Sequence, residues 1–118
     1  MTHAEALAFA GEWVAAWNAH DLGRILAHYA DDFEMASPYI VTLAGEPGGT
    51  LRGKAAVGSY WRSALDRFPD LRFELLRAFA GVGSVAIHYR GVRGILACEV
   101  LTFGEDGLVT RAAVHYES

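Results

Sequence analysis

Glu99 is an acid in an apolar setting. It occupies an odd position of "ILACEVLTF", whose other odd positions are Ile95, Ala97, Leu101 and Phe103. A strand turns alternate residues to opposite faces, so this spacing puts the carboxyl on the face expected to be buried. Burial disfavours the charged form and raises the pKa, which suits a general acid, a general base or a hydrogen-bond donor. The bland alternative leaves that face wet and pairs Glu99 with an arginine. Aromatic side chains gather at helical spacing elsewhere, with Trp13 and Trp17 in the first helical run and Trp61 in a later one. They fit a core, and they equally fit the wall of a pocket, because pockets are mainly apolar and aromatic. Tyr29, Tyr39 and Tyr116 would bring hydroxyls to such a pocket, and Ser37, just before Pro38, would add another.

Other chemistries find little support. None of the five histidines pairs at i,i+4 with a second ligand and there is no HExxH, so no metal site is expected. The single cysteine, Cys98, excludes an internal disulfide and any CxxC motif. It lacks a histidine base in sequence, which argues against a nucleophile. "GGTLRGKA" fits GxxxxGK, but Ala55 stands where the magnesium-binding hydroxyl belongs. It reads as a loop and a helix start, with Arg52 and Lys54 able to attract an anion. Nothing calls for a cofactor.

Formal net charge is −4 and the basic residues are scattered singles, which argues against nucleic-acid binding. The opening "MTHAEALAFAGEWVAAW" has no basic start and is interrupted by Glu5 and Glu12, so it is not an export signal. No run approaches the ~18 apolar residues of a membrane span. A cytoplasmic protein is the expectation.

These residues need elements to hold them. The 118 residues and 53% hydrophobic content suit a single domain, 1–118. Phe9, Trp13, Ala16 and Trp17 share one face of a helix over 3–18. Asp21 caps a second short helix, with Leu22, Ile25, Leu26 and Tyr29 on its buried side. Alternation of Phe33, Met35 and Ser37 starts a strand near Phe33, and Pro38 ends it. Tyr39–Leu43 is rich in β-formers and reads as extended, before the "GEPGG" turn. Helical spacing returns over 53–68 and Pro69 stops it. The rest is strand and turn. "LRFELLRAFAG" alternates through Leu71, Phe73 and Leu75. "SVAIHYR" has Val85, Ile87 and Tyr89 on one face and His88 on the other. "ILACEVLTF" and "LVTRAAVHY" are joined by the hairpin turn "GEDG". The order α-α-β-loop-α-β-β-β-β is an α+β fold.

The segment "WVAAWNAHDLGRILAHYADDF" resembles the first two helices of the nuclear-transport-factor-like superfamily, which includes the SnoaL-like polyketide cyclases and the ketosteroid isomerases. "EVLTFGEDGLVTRAAVHY" resembles its closing hairpin. The resemblance implies a cone: a curved antiparallel sheet wrapped around about three helices, with an internal pocket. It also implies a homodimer that packs the outer sheet faces together. Glu99 falls where the isomerases keep a protonated carboxylic acid, Trp13 where they keep an oxyanion-binding tyrosine, and Ser37 where they keep the aspartate base. Three functions fit this pattern. One is an isomerase, cyclase or hydrolase of a small apolar or carbonyl-bearing molecule, with Glu99 as general acid or base. The second is a non-catalytic ligand-binding module. The third is a dimeric interaction module whose pocket is filled by its own side chains.

Overall fold

The computed structural model describes residues 1–117. Thr2 and Glu5 open α1 (His3–Asn18) with a reciprocal cap, in which each side chain accepts the other's backbone N–H. Asp21 caps α2 (Leu22–Leu26) by accepting from the Arg24 N–H. Then follow β1 (Tyr29–Ala36), α3 (Pro38–Leu43), β2 (Thr50–Arg52), α4 (Lys54–Arg67), β3 (Glu74–Ala80) and β4 (Ser84–Arg90). A 3-10 turn at Val92–Gly94 leads into β5 (Leu96–Phe103) and β6 (Val109–Tyr116). Among the described residues no helix is long and apolar enough to cross a membrane.

The six strands form one curved, unclosed sheet in the order β2-β1-β6-β5-β4-β3. α1 lies across β3, α4 lies against β1 and β2, and α2 touches both helices. The result is the expected α+β cone. Its sheet is mixed, because β1 runs parallel to β6 while every other pair is antiparallel. Sequence alternation reveals which face a strand buries and carries no information on strand direction.

Three expectations need correction. Tyr29 opens β1 and does not extend α2, because the Ala27 and His28 N–H groups close α2 on the Gly23 and Ile25 carbonyls. Tyr39–Leu43 is helical, not extended. Ser37 accepts from the Tyr39 N–H and Pro38 takes the first helical turn, two start signals that outweigh the β-propensity of Tyr-Ile-Val-Thr. This brings the helices of the described residues to four, where about three are expected. β3 starts at Glu74, so Leu71 and Phe73 are buried in the segment that leads into it. Leu76 is then an extra residue against β4, since Leu75 faces Tyr89 and Arg77 faces His88. This bulge moves the buried set from odd to even positions, and Ala78 becomes the inward residue. Sequence alternation hides the shift because both faces of "LRFELLRAFAG" carry apolar residues.

Two side chains moor the end of α1 to that segment. Asn18 Nδ2 donates to the Phe73 carbonyl at 3.0 Å, and the Phe73 N–H donates to Asn18 Oδ1 at 2.6 Å. His20, in the left-handed region at φ 55°, puts Nε2 2.8 Å from the Leu71 carbonyl. Both backbone groups of Phe73 thus depend on one amide. Asn18→Ala leaves them unpaired and is expected to lower unfolding free energy by about 1–3 kcal/mol, measured by urea denaturation. A change below about 0.5 kcal/mol would show that the mooring is dispensable.

Candidate functional site

Ala97, Glu99 and Leu101 are buried on β5 while Val100 and Thr102 between and beyond them are exposed. Strand alternation alone therefore carries the Glu99 carboxyl inside the cone, where it is 4% exposed. Among the described residues no arginine, lysine or histidine pairs with it. Its one hydrogen bond comes from the Tyr89 hydroxyl, which donates to Oε1 at 3.0 Å. Oε2 has no partner among the described residues. Burial pushes the carboxyl up from 4.5 to about 7, and the Tyr89 bond opposes that rise by favouring the charged form. Near neutral pH the group is therefore poised between acid and base.

Glu99 lines a cavity of about 540 Å³ between the sheet and α1, α3 and α4. Trp13, Trp17 and Trp61 form much of its apolar wall, together with Phe73 and Tyr89. Their rings interlock. Trp13 stacks on Phe73 at 5.6 Å and meets Tyr89 edge-on at 5.2 Å, while Trp17 meets Trp61 edge-on at 5.1 Å. Offset and edge-on contacts are the arrangements aromatic pairs prefer. Polar groups converge on the side facing α3. Ser37, Tyr39, Tyr60 and Tyr116 all line the cavity, and Tyr39 packs on Tyr116 with ring centroids 4.5 Å apart. Burial raises the phenols of Tyr60 and Tyr116, and the Ser37 hydroxyl acts on both in the opposite sense. These phenols stay protonated at neutral pH and serve as donors.

Seven of the eight residues singled out in the sequence, Glu99, Trp13, Trp17, Ser37, Tyr39, Trp61 and Tyr116, border this one space. Tyr29 does not. It is fully buried one layer behind, and its hydroxyl accepts from Trp13 Nε1 at 3.0 Å. β1 bows between Tyr29 and Glu34 relative to β6, and Tyr29 packs against Phe33 and edge-on to Trp61 in place of facing the cavity. Trp13 has thereby committed its only donor to Tyr29. Ser37 sits just past β1 as the α3 cap. Tyr89 was readable as an inward residue, but its partnership with Glu99 depends on the β4–β5 register, which places Glu99 opposite Ile87 and Ala97 opposite Tyr89. Tyr60, Arg67 and Arg93 also reach the cavity and had no distinguishing sequence signal.

His88, Cys98 and His115 fall in one cross-strand row on the outer face. Among the described residues no group of three or more His, Cys, Asp or Glu side chains is arranged to hold a metal ion.

The sequence profile of the SnoaL-like domain matches residues 10–112, and the chain belongs to that family. A SnoaL-like protein of unknown function from Burkholderia thailandensis is 60% identical over 99% of this chain and 98% of its own, with a TM-score of 0.97. A proposed isomerase of the SnoaL-like family from Agrobacterium tumefaciens superposes with a TM-score of 0.78 at 16% identity, covering 98% of this chain and 99% of its own. A proposed ketosteroid isomerase from Kribbella flavida gives 0.73 at 18% identity, over 94% and 76% of the two chains. The last two share the fold. No curated protein matches the chain.

The raised pKa of Glu99 has a consequence for stability. The folded protein binds this proton more tightly than the unfolded chain does. The contribution is complete below pH 4.5 and is lost as pH rises through about 7. The loss amounts to roughly 3 kcal/mol for a fully buried group. Glu99→Gln keeps an acceptor for Tyr89 and cannot ionise. Denaturant titrations are expected to find the variant more stable than the parent at about pH 8 and close to it at about pH 5. A constant difference across that range would mean that Glu99 titrates normally.

Proposed function

We propose that this chain binds a small, mostly apolar, carbonyl-bearing molecule inside the cone, and that Glu99 transfers a proton on it. One observation carries the proposal: an unpaired carboxyl, bonded only to Tyr89, on the wall of a 540 Å³ aromatic cavity. In its ionised form Glu99 removes a proton from carbon beside the carbonyl, and in its neutral form it returns one or donates to the oxygen. The hydroxyls of Tyr60 and Tyr116 are candidates to hold the carbonyl oxygen as charge develops there. A single carboxyl that takes and returns a proton serves isomerisation and cyclisation alike. Hydrolysis is the third reaction of this kind, with Glu99 activating a water.

A non-catalytic binder is the second reading, and Ser37 favours it. Its hydroxyl caps α3, and among the described residues no second carboxylate lines the cavity. The two separate with 2-tetralone, an apolar cyclic ketone, as probe. NMR in deuterated buffer is expected to show exchange of its α-protons above the buffer rate, and Glu99→Gln to lose about 100-fold or more of that rate while still binding. Binding without exchange would assign the protein to the non-catalytic class.

Assembly as a homodimer belongs to the same proposal. Phe79, Ala86, Val100, Ala113 and Ala36 lie in register across five strands on the outer face, and Phe79 is 55% exposed. A continuous apolar row of this kind favours an interface. Sedimentation at micromolar concentration is expected to give twice the chain mass, and a species of one chain mass would contradict it.

A further inference from the structure

The chain has ten lysines and arginines. Six of them, Arg24, Arg52, Lys54, Arg62, Arg90 and Arg111, have a carboxylate within 4.0 Å. Arg67, Arg72, Arg77 and Arg93 have none among the described residues. Two of these four, Arg67 and Arg93, border the cavity that holds Glu99. Both are exposed while Glu99 is buried, so the cations stand at the rim and the carboxyl lies within. On a chain of net charge −4, an uncompensated pair of cations at one opening is a local field of the wrong sign for chance neutralisation.

The two arginines come from different elements and border the same cavity. Arg67 ends α4 and precedes Phe68, and the Arg93 guanidinium lies 5.8 Å from the centre of the Phe68 ring. A place in the last turn of α4 accounts for a positive charge at Arg67 through the helix dipole. It does not account for Arg93. That residue holds a left-handed backbone, φ 60° and ψ 22°, which is disfavoured for a side chain with a β-carbon. The turn that imposes it is tightly tied. The Gly91 N–H donates to the Ile95 carbonyl at 2.8 Å, Ile95 N–H to Val92 at 3.2 Å, and Arg90 Nη1 to Gly94 at 3.0 Å. Strain that the surroundings hold in place is found where a side chain must be aimed.

We propose that Arg67 and Arg93 form an anion clamp at the mouth, and that the ligand is an apolar carboxylic acid whose carboxylate rests there while its body enters the aromatic cavity. The guanidinium fork matches the two oxygens of a carboxylate, and the Phe68 ring beside it covers the adjoining apolar part. The ligand class is thus narrowed from carbonyl compounds to those that also carry an acid at the end away from Glu99. This inference rests on the cavity being the binding site.

The test uses 2-naphthylacetate and its neutral amide, 2-naphthylacetamide, in calorimetry at about pH 6, where Glu99 is mostly protonated. The parent protein is expected to bind the acid about tenfold more tightly than the amide at low salt. High salt is expected to erode that preference and leave amide binding in place. Arg67→Ala and Arg93→Asn are each expected to reduce the preference to about threefold, and the double variant to abolish it. Asparagine tolerates the left-handed backbone, so the turn is kept. Amide affinity is expected to stay within about twofold throughout. Equal binding of acid and amide by the parent, or a preference that survives in the double variant, would overturn the clamp and leave the cavity reading intact. Failure of both probes to bind would overturn both.

Discussion

A carboxyl group without a cation beside it is held inside an aromatic cone, and the rest of the site is arranged around that cost. Tyrosine and tryptophan aside, Glu99 and Ser37 are the only polar or charged side chains that the fold buries among the described residues. Ser37 satisfies a backbone N–H and is part of a helix start. Glu99 satisfies nothing of the scaffold beyond one tyrosine hydroxyl. A buried acid that contributes so little to its surroundings is costly to the fold, and this one borders the cavity.

Several irregular features keep that cavity open and its wall in place. The Leu76 bulge bends β3, and the Asn18 and His20 anchors fix Phe73 and Leu71 against the end of α1. Gly53, at φ 90°, turns the chain from β2 into α4 and donates its N–H to the Phe33 carbonyl. That turn carries Tyr60 and Trp61 to the cavity. Ser37 ends β1 and starts α3, which brings Tyr39 over Tyr116. Ser37 thus has a structural task of its own.

Much of this was legible in the residues. Alternation on "ILACEVLTF" placed Glu99 inside, and helical spacing placed the three tryptophans on inward faces, because both follow from the periods of strand and helix. The family and its cone were legible from two segments, one at each end of the chain. What could not be read depended on relations between segments. Tyr29 needed the bow of β1 against β6, Tyr89 needed the β4–β5 register, and Arg93 needed a turn whose left-handed residue is not a glycine. α3 was missed for a local reason, since a serine cap and a proline at the first turn outweighed four residues that favour strands.

The most direct test is the titration of the Glu99 carboxyl itself, followed by carbon-13 NMR in protein labelled at glutamate, with Glu99→Gln to assign the resonance. The account predicts a midpoint near 7, as burial without a cationic partner requires. A midpoint near 4.5 would mean that the carboxyl is solvated or paired, and would contradict the claim that it is the reactive group of the cone.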